Sequence, residues 1–232
     1  MEHYAIAIDG PAASGKSTAA KGVAKALSFL YVDTGAMYRA FTLLMLEKGK
    51  DCASREDAVS LLPSLEIEED EKGRIYLFGK DVSSRVREDD VSKNVSLACA
   101  HKEVREKMVE IQRKMARTRS VVMDGRDIGT VVLPQATLKI YQIASVEARA
   151  KRRYEENLRK GFSQESLEEI KQDIERRDKI DSTRANSPLK QAEDAILLDT
   201  SDLTIEEEIH EILVLFRKKV GEETWKHLVP SH

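Results

Sequence analysis

Cysteine is scarce: Cys52 and Cys99 are the only two in 232 residues, and they stand in no metal-ligand spacing. A disulfide framework is excluded, and a reducing compartment is expected. Long apolar runs are missing as well, and no stretch approaches the roughly 20 residues that a membrane span needs. Met1 to His3 lead directly into the first apolar stretch, leaving no room for a signal peptide, so a cytosolic protein is expected. Charge of one sign is not in excess, with 38 Lys plus Arg against 41 Asp plus Glu and a net charge of -3. Neither this balance nor any basic stripe interleaved with aromatics calls for nucleic acid as a partner. The five histidines, His3, His101, His210, His227 and His232, are scattered without ligand spacing. Internal repeats and low-complexity tracts are absent too, so any anion binding must be built locally.

What is present is an ordinary globular composition, 41% hydrophobic and 34% charged. It contains one sharply defined motif. From Ile6 to Thr18 the chain reads IAIDGPAASGKST, an apolar strand running into Gly-x-x-x-x-Gly-Lys-Ser between Gly10 and Ser17. Glycine at 10 and 15 lets backbone N–H groups converge on phosphate oxygens, and the helix beginning near Lys16 aims its positive end at the same anion. Lys16 reaches the β and γ phosphates, and the Ser17 hydroxyl suits the hard Mg²⁺ ion that accompanies a nucleoside triphosphate. The required flanks are there: Tyr4, Ile6 and Ile8 before the loop, and the helical spacing of Ala19, Val23, Ala24 and Leu27 after it. The expected ATP-binding set is therefore Gly10, Pro11, Ala12, Ala13, Ser14, Gly15, Lys16, Ser17 and Thr18.

Strand and helix patterns alternate along the rest of the chain. Strands are predicted at 29–32, 120–123, 138–143 and 195–198, and helices at 36–48, 102–117, 146–160 and 205–220. This pattern predicts an α/β fold, a doubly wound five-stranded parallel sheet with helices on both faces. Residues 65–86 differ: LEIEED, Lys72-Gly73, RIYLF and Gly79-Lys80 read as short antiparallel strands joined by tight turns, an inserted subdomain. Residues 149–179 are very highly charged, break at Gly161-Phe162 with Ser163 placed to cap the next helix, and read as a helical lid. Gly221 is placed to stop the last helix.

The segments after the phosphate loop bear on the acceptor. Asp33-Thr34-Gly35-Ala36-Met37-Tyr38-Arg39 starts at the carboxyl end of the second strand, where open α/β sheets bind ligands, and Thr34 is placed to cap a helix. Arg39, Arg105, Arg126, Arg177 and Arg184, with Asp127 and Asp181, form a set that suits a phosphorylated acceptor. A phosphate monoester has a second pKa of about 6, so it is largely ionised at neutral pH and needs no strong base. Asp33 and Asp127 would be the base candidates for a hydroxyl acceptor, but the arginines favour an anion.

GPAASGKST, DTGAMYR, MDGRDIGTVVLP and ERRDKIDSTRANSPL together resemble the bacterial cytidylate kinases over nearly the whole chain. The resemblance implies the adenylate kinase-like P-loop fold, three-layered, and transfer of the ATP γ-phosphate to CMP or dCMP with Mg²⁺. It implies one kinase domain with a core (about 1–33, 100–148 and 185–232), a monophosphate-binding region carrying the β insertion (34–99) and a lid (149–184). It also implies that Thr34 and Arg39 hold the acceptor, Arg39 at its phosphate, with serine serving equally well at 34. Ser96, Arg105, Arg126 and Asp127 would enclose cytosine, Arg177 would bridge phosphates, and Asp181 with Arg184 would meet the sugar hydroxyls. Lys16, Arg126 and Arg177 are the catalytic candidates, acting on ATP and CMP as a monomer.

The chemistry of cytosine agrees. A carboxylate at Asp127 meets the exocyclic amino group, while Arg105, Arg126 and Ser96 supply donors to the ring acceptors. Uracil would set a carbonyl against Asp127. The competing role for Arg126 and Asp127 is a salt bridge within one loop. Asp124 ends an apolar strand where many phosphate-loop enzymes orient magnesium-bound water; a turn cap at Gly125 is its other role. In the lid, Arg149 and Arg153 share a helical face and are candidates to clamp ATP phosphates, Arg153 foremost. The alternatives are a kinase for UMP, AMP or a small metabolite, and a nucleotide-dependent switch. The chain has no Asn-Lys-x-Asp for reading guanine, which weighs against the switch.

Overall fold

A computed structural model describes residues 3–70, 72–160 and 165–229, of Lys160 the backbone only. In chain order the elements are β1 (Ala5–Asp9), α1 (Lys16–Leu27), β2 (Leu30–Asp33), α2 (Thr34–Glu47), α3 (Arg55–Leu61), β3 (Ile67–Glu69), β4 (Ile75–Leu77) and β5 (Lys80–Asp81). There follow α4 (Asp89–Ala98), α5 (Lys102–Thr118), β6 (Val121–Gly125), a π-helical turn (Ile128–Val132), β7 (Leu138–Ile143), α6 (Val146–Lys160), α7 (Leu167–Thr183), β8 (Ile196–Asp199), α8 (Ile205–Val220) and α9 (Glu222–Leu228). The chain forms two compact units, one of Met1–Tyr31 with Arg119–His232 and the other of Val32–Thr118.

The central sheet is parallel, as predicted, with strand order β2-β6-β1-β7-β8, and the chain passes from the first unit into the second within β2. β1 lies between β6 and β7, with Ile6 opposite both Val122 and Leu138, and Ile8 opposite Asp124 and Ile140. Period-two alternation sends Ile6, Ile8, Val122, Leu138 and Ile140 to one face. There they pack against Ala19, Ala20, Val23, Ala24 and Leu27 of α1 and Ile212 and Phe216 of α8. Phe216 is wholly buried and meets Tyr4 and Phe29 edge-on at 6.1 and 5.8 Å between ring centroids. Truncating it to alanine costs about 3–5 kcal/mol, more than any change on the rim of this core. α1 ends with Ser28 in the left-handed region and the Phe29 N–H donating to Ala24 O at 2.9 Å. This closing turn uses Phe29, so β2 begins at Leu30, one residue later than predicted.

In the lid region, α6 and α7 pair through a small core of Ala150, Ile170 and Ile174. The cap of α7 is Ser166, which forms a capping box with Glu169. The predicted break at Gly161-Phe162 and cap at Ser163 lie outside the described residues, as do Met1, Glu2 and the tail from Pro230.

In the second unit, α2 carries the buried side chains of Met37, Phe41, Leu43 and Met45, and its cap differs from expectation. Asp33, not Thr34, caps it, accepting the Ala36 N–H at 2.8 Å, while Thr34 is the first helical residue. A carboxylate at this position also complements the helix dipole, which a hydroxyl does not. The inserted strands form the predicted antiparallel sheet in order β3-β4-β5. The β4–β5 turn is Phe78-Gly79, both with positive φ (50° and 74°), one position earlier than Gly79-Lys80. Such mirror-image turns match the strand twist of a two-residue hairpin.

Candidate active site

The phosphate loop of the first unit lies where β1 gives way to α1. Gly15 takes φ 91°, and a Cβ at Gly10 would sit 2.1 Å from the Gln142 carbonyl oxygen of β7, so side chains are excluded at both glycines. The outer end of the loop is tied down by charge. The Arg149 guanidinium donates to Ala12 O at 2.9 Å and to the Asp178 carboxylate at 2.6 Å, while Asp178 accepts the Ala12 N–H at 3.1 Å. Arg149 is thus buried and engaged with the loop backbone, which leaves Arg153, of the two candidates on α6, as the one facing the cavity beside the loop.

Beneath the loop, the Ser17 hydroxyl donates to Asp124 Oδ2 at 2.7 Å, and the Tyr31 hydroxyl donates to Asp124 Oδ1 at 2.7 Å. Asp124 is buried, and its two oxygens point at a cluster of oxygen donors, the set a hard cation prefers. Lys16 donates to Pro11 O at 2.9 Å. Burial, then the nearby Arg126, push Lys16 down to about 7; Asp124 and Asp181 pull the other way, and Arg177 adds to the repulsion. Arg177 is likewise pushed down to about 10 by burial and by Arg126 and Arg153. Four cations therefore crowd one end of the sheet, and like charge held at short range is stabilised by an incoming anion. Arg153 and Arg177 also line a cavity of about 50 Å³ together with Ala12 and Ala13 of the loop.

Past β6, Arg126 and Asp127 each meet a residue at the carboxyl end of α7. Arg126 Nε donates to Asp181 Oδ2 at 2.7 Å, and Arg184 lies 3.5 Å from Asp181 and 3.9 Å from Asp127. Burial alone would raise the Asp181 carboxyl, but Arg126, Arg184 and Arg177 outweigh it and hold it below the usual range. The π-helical turn after Asp127 is anchored by Asp9, whose carboxylate accepts the Ile128 and Gly129 N–H groups at 2.8 and 2.7 Å. Burial raises Asp9 to about 6 against those two hydrogen bonds, with Asp127 adding to the rise.

In the second unit, Arg39 lies 3.7 Å and Arg87 3.2 Å from the Asp33 carboxylate, whose own N–H donates to Glu69 at 3.0 Å. Asp33 is committed as a helix cap and counter-ion, so it is not a general base. Arg105 is buried on α5 with its guanidinium 5.2 Å from the centre of the Tyr38 ring, a cation–π contact that sets its plane. Thr34 is buried and Ser96 half-buried on α4.

The cytidylate kinase family model matches residues 6–218. The chain belongs to the cytidylate kinase family. The cytidylate kinase of Bacillus cytotoxicus is 52% identical over 217 residues, covering 92% of this chain and 96% of that protein. The cytidylate kinase of Halalkalibacterium halodurans is 50% identical over 223 residues, covering 95% and 100%. Among solved structures, an uncharacterized protein from Eubacterium ventriosum matches with a TM-score of 0.51 at 14% identity, over 94% of this chain and 99% of that one, a likeness of fold.

For a cytidylate kinase family member, the first unit brings together Lys16, Ser17, Asp124, Arg126, Arg177, Asp181 and Arg184 from three separate motifs. Tyr31 and Asp178 also serve this cluster and were not singled out for it in the sequence, while Arg149, expected to clamp ATP phosphates, instead holds the Ala12 carbonyl and the Asp178 carboxylate. Tyr31 had a signal, a hydroxyl-bearing aromatic inside an otherwise apolar strand, whereas the Arg149–Asp178 pair joins α6 to α7 across 29 positions and leaves none.

Proposed function

We propose that this protein transfers the γ-phosphoryl group of ATP to CMP or dCMP, giving CDP or dCDP and ADP, with Mg²⁺ accompanying the ATP. The carrying observation is the gathering of Lys16, Arg126, Arg153 and Arg177, where burial first and neighbouring cations second push Lys16 to about 7 and Arg177 to about 10. Such a cluster is costly until phosphates arrive, and phosphoryl transfer asks a protein mainly for alignment and neutralisation of charge. Lys16 and the loop amides hold the β and γ phosphates, while Arg126 and Arg177 meet charge on the transferring group. Gly10, Pro11, Ala12, Ala13, Ser14, Gly15, Thr18 and Arg153 complete the ATP-binding set.

Ser17 and Asp124 fit Mg²⁺, since both present oxygen and lie 2.7 Å apart, and Asp124 would act through a water. Bound there with the phosphates, the ion neutralises charge on them. Among the described residues no group of three or more His, Cys, Asp and Glu is disposed to hold a metal, so the ion belongs with the nucleotide.

CMP is assigned to Thr34, Arg39, Ser96, Arg105, Arg126, Asp127, Arg177, Asp181 and Arg184. Arg39 takes its phosphate, Asp127 its exocyclic amino group, Ser96, Arg105 and Arg126 the ring acceptors, and Asp181 with Arg184 the sugar. Residues 149–184 are the lid, 34–99 the monophosphate-binding region, and the remainder the core of one kinase domain. The protein acts as a cytosolic monomer; no described helix is long and apolar enough to cross a membrane. The test is chromatography of the products after incubation with Mg-ATP and CMP. CDP and ADP in equal amounts support the reading, and ADP without CDP removes it.

A further inference from the structure

We propose that Gln142, oriented by Glu208 and Arg152, sets the direction of the Gly15 amide in the phosphate loop and is a positioning residue for the phosphates of ATP. The proposal rests on reading that loop as the ATP site.

Gln142 is wholly buried on β7 and supports the loop at both of its glycines. Its backbone carbonyl lies where a Cβ at Gly10 would be, and its carboxamide Nε2 donates to Ser14 O at 2.6 Å. That second bond decides an orientation. The Ser14–Gly15 peptide is planar and trans, so the Gly15 N–H points opposite to the Ser14 carbonyl. A carbonyl drawn inward to Gln142 therefore turns the amide outward, the direction in which a phosphate-binding loop presents its donors. Arg152 and the Thr200 hydroxyl approach the same carbonyl only at 3.4 Å, at the outer limit of hydrogen bonding, so Gln142 is the principal holder.

A carboxamide can rotate, and its orientation here is set by a buried carboxylate. Glu208 is 2% exposed on α8; its Oε2 accepts from Gln142 Nε2 at 3.2 Å, and its Oε1 lies 3.4 Å from Arg152. Arg152 is held in turn by the carbonyls of Thr200 and Leu203. An acceptor at Glu208 obliges Gln142 to present nitrogen to this side, and with it the donor that Ser14 O needs. The Glu208 oxygens also stand 3.2 and 3.4 Å from the place a Cβ would take at Gly15, so the carboxylate packs directly against the loop. None of these three side chains takes part in the charge cluster described above.

The experiment is calorimetric titration of the full-length protein with ATP and, separately, with CMP, for wild type, Gln142→Leu, Glu208→Gln and the double variant. Thermal melts check folding. Gln142→Leu is expected to weaken ATP binding about 10-fold or more and to raise KM for ATP, leaving the Kd for CMP within about twofold. Glu208→Gln keeps the volume but offers one oxygen to two donors, and is expected to weaken ATP about 3-fold. Because Glu208 acts through Gln142, the double variant falls short of the product of the two effects. ATP affinity unchanged in Gln142→Leu, or equal losses for ATP and CMP, overturns the proposal. Should that variant not fold, the isosteric Glu208→Gln decides, and unchanged ATP affinity there overturns it. Wild-type protein that binds no ATP overturns the reading of the loop itself.

Discussion

Raising the pH from 7 to 9 should weaken ATP binding while the fold grows more stable. The free protein holds Lys16 at about 7, because burial and Arg126 disfavour its charged form. Nucleotide phosphates reverse that balance by placing opposite charge against the ammonium, so the bound state keeps its proton well above pH 9. The protonated fraction of free Lys16 falls from about one half at pH 7 to about one hundredth at pH 9, so ATP affinity should drop about 50-fold across this range. Arg177, held at about 10, adds to the decline only toward the upper end. The last phosphate ionisation of the ligand, with a pKa of about 6, lies below the window. Isothermal titration at pH 7, 8 and 9, in buffers of different ionisation enthalpy, should show uptake approaching one proton per ATP at pH 8 and above. Folding runs the opposite way. The unfolded chain keeps the Lys16 proton up to the ordinary lysine value of 10.5 while the folded chain releases it near 7, so the Lys16 contribution to stability rises between those values. Melts that rise across pH 7 to 9 while affinity falls separate this effect from alkaline unfolding. A Kd that stays flat from pH 7 to 9 without proton uptake would refute the reasoning.

The remaining predictions concern single side chains. Arg39→Ala and Arg177→Ala should each lower kcat about 100-fold or more, the scale of losing one charge-stabilising donor, and near-normal turnover in both would remove the acceptor and bridging roles. Asp127→Ala should shift the ratio of kcat/KM for CMP over UMP by about 10-fold or more while leaving KM for ATP unchanged, and an unaltered ratio contradicts base reading. Asp124→Asn keeps one acceptor for Ser17 and Tyr31 but loses the charge. It should raise the Mg²⁺ concentration needed for half-maximal rate, and an unchanged Mg²⁺ dependence would contradict its role.

Elements with a sustained period were legible in the sequence. α6 and α8 run between their predicted ends, Val146–Lys160 and Ile205–Val220, and β7 likewise covers Leu138–Ile143. Each repeats its period often enough to outweigh local noise. Short elements were not legible. α3 and α4 have seven and ten residues and went unpredicted, because so few turns offer little periodicity and α3 is fixed by its Ser54 cap. α9, just past Gly221, is of the same kind.

The candidate site divides along similar lines. Lys16, Ser17, Asp124, Arg126, Arg177 and Asp181 were readable because each lies in a contiguous motif. Gln142, Arg152 and Glu208 act through pairs separated by up to 138 positions, which no local pattern encodes. Glu208 alone left a trace, an acidic residue on the face of α8 that buries Ile212 and Phe216. The Thr34 cap failed for a different reason: a hydroxyl and the carboxylate just before it are both good caps, and backbone geometry selected Asp33.

The central claim is transfer from ATP to a cytidine monophosphate, and the most direct measurement is initial ADP formation from Mg-ATP with CMP, dCMP, UMP, AMP and GMP supplied separately, beside a control lacking acceptor. The account predicts fast turnover with CMP and dCMP, far slower turnover with the others and almost none in the control. Equal rates with and without acceptor would contradict it, and preference for a different monophosphate would contradict the assignment of Asp127 to cytosine.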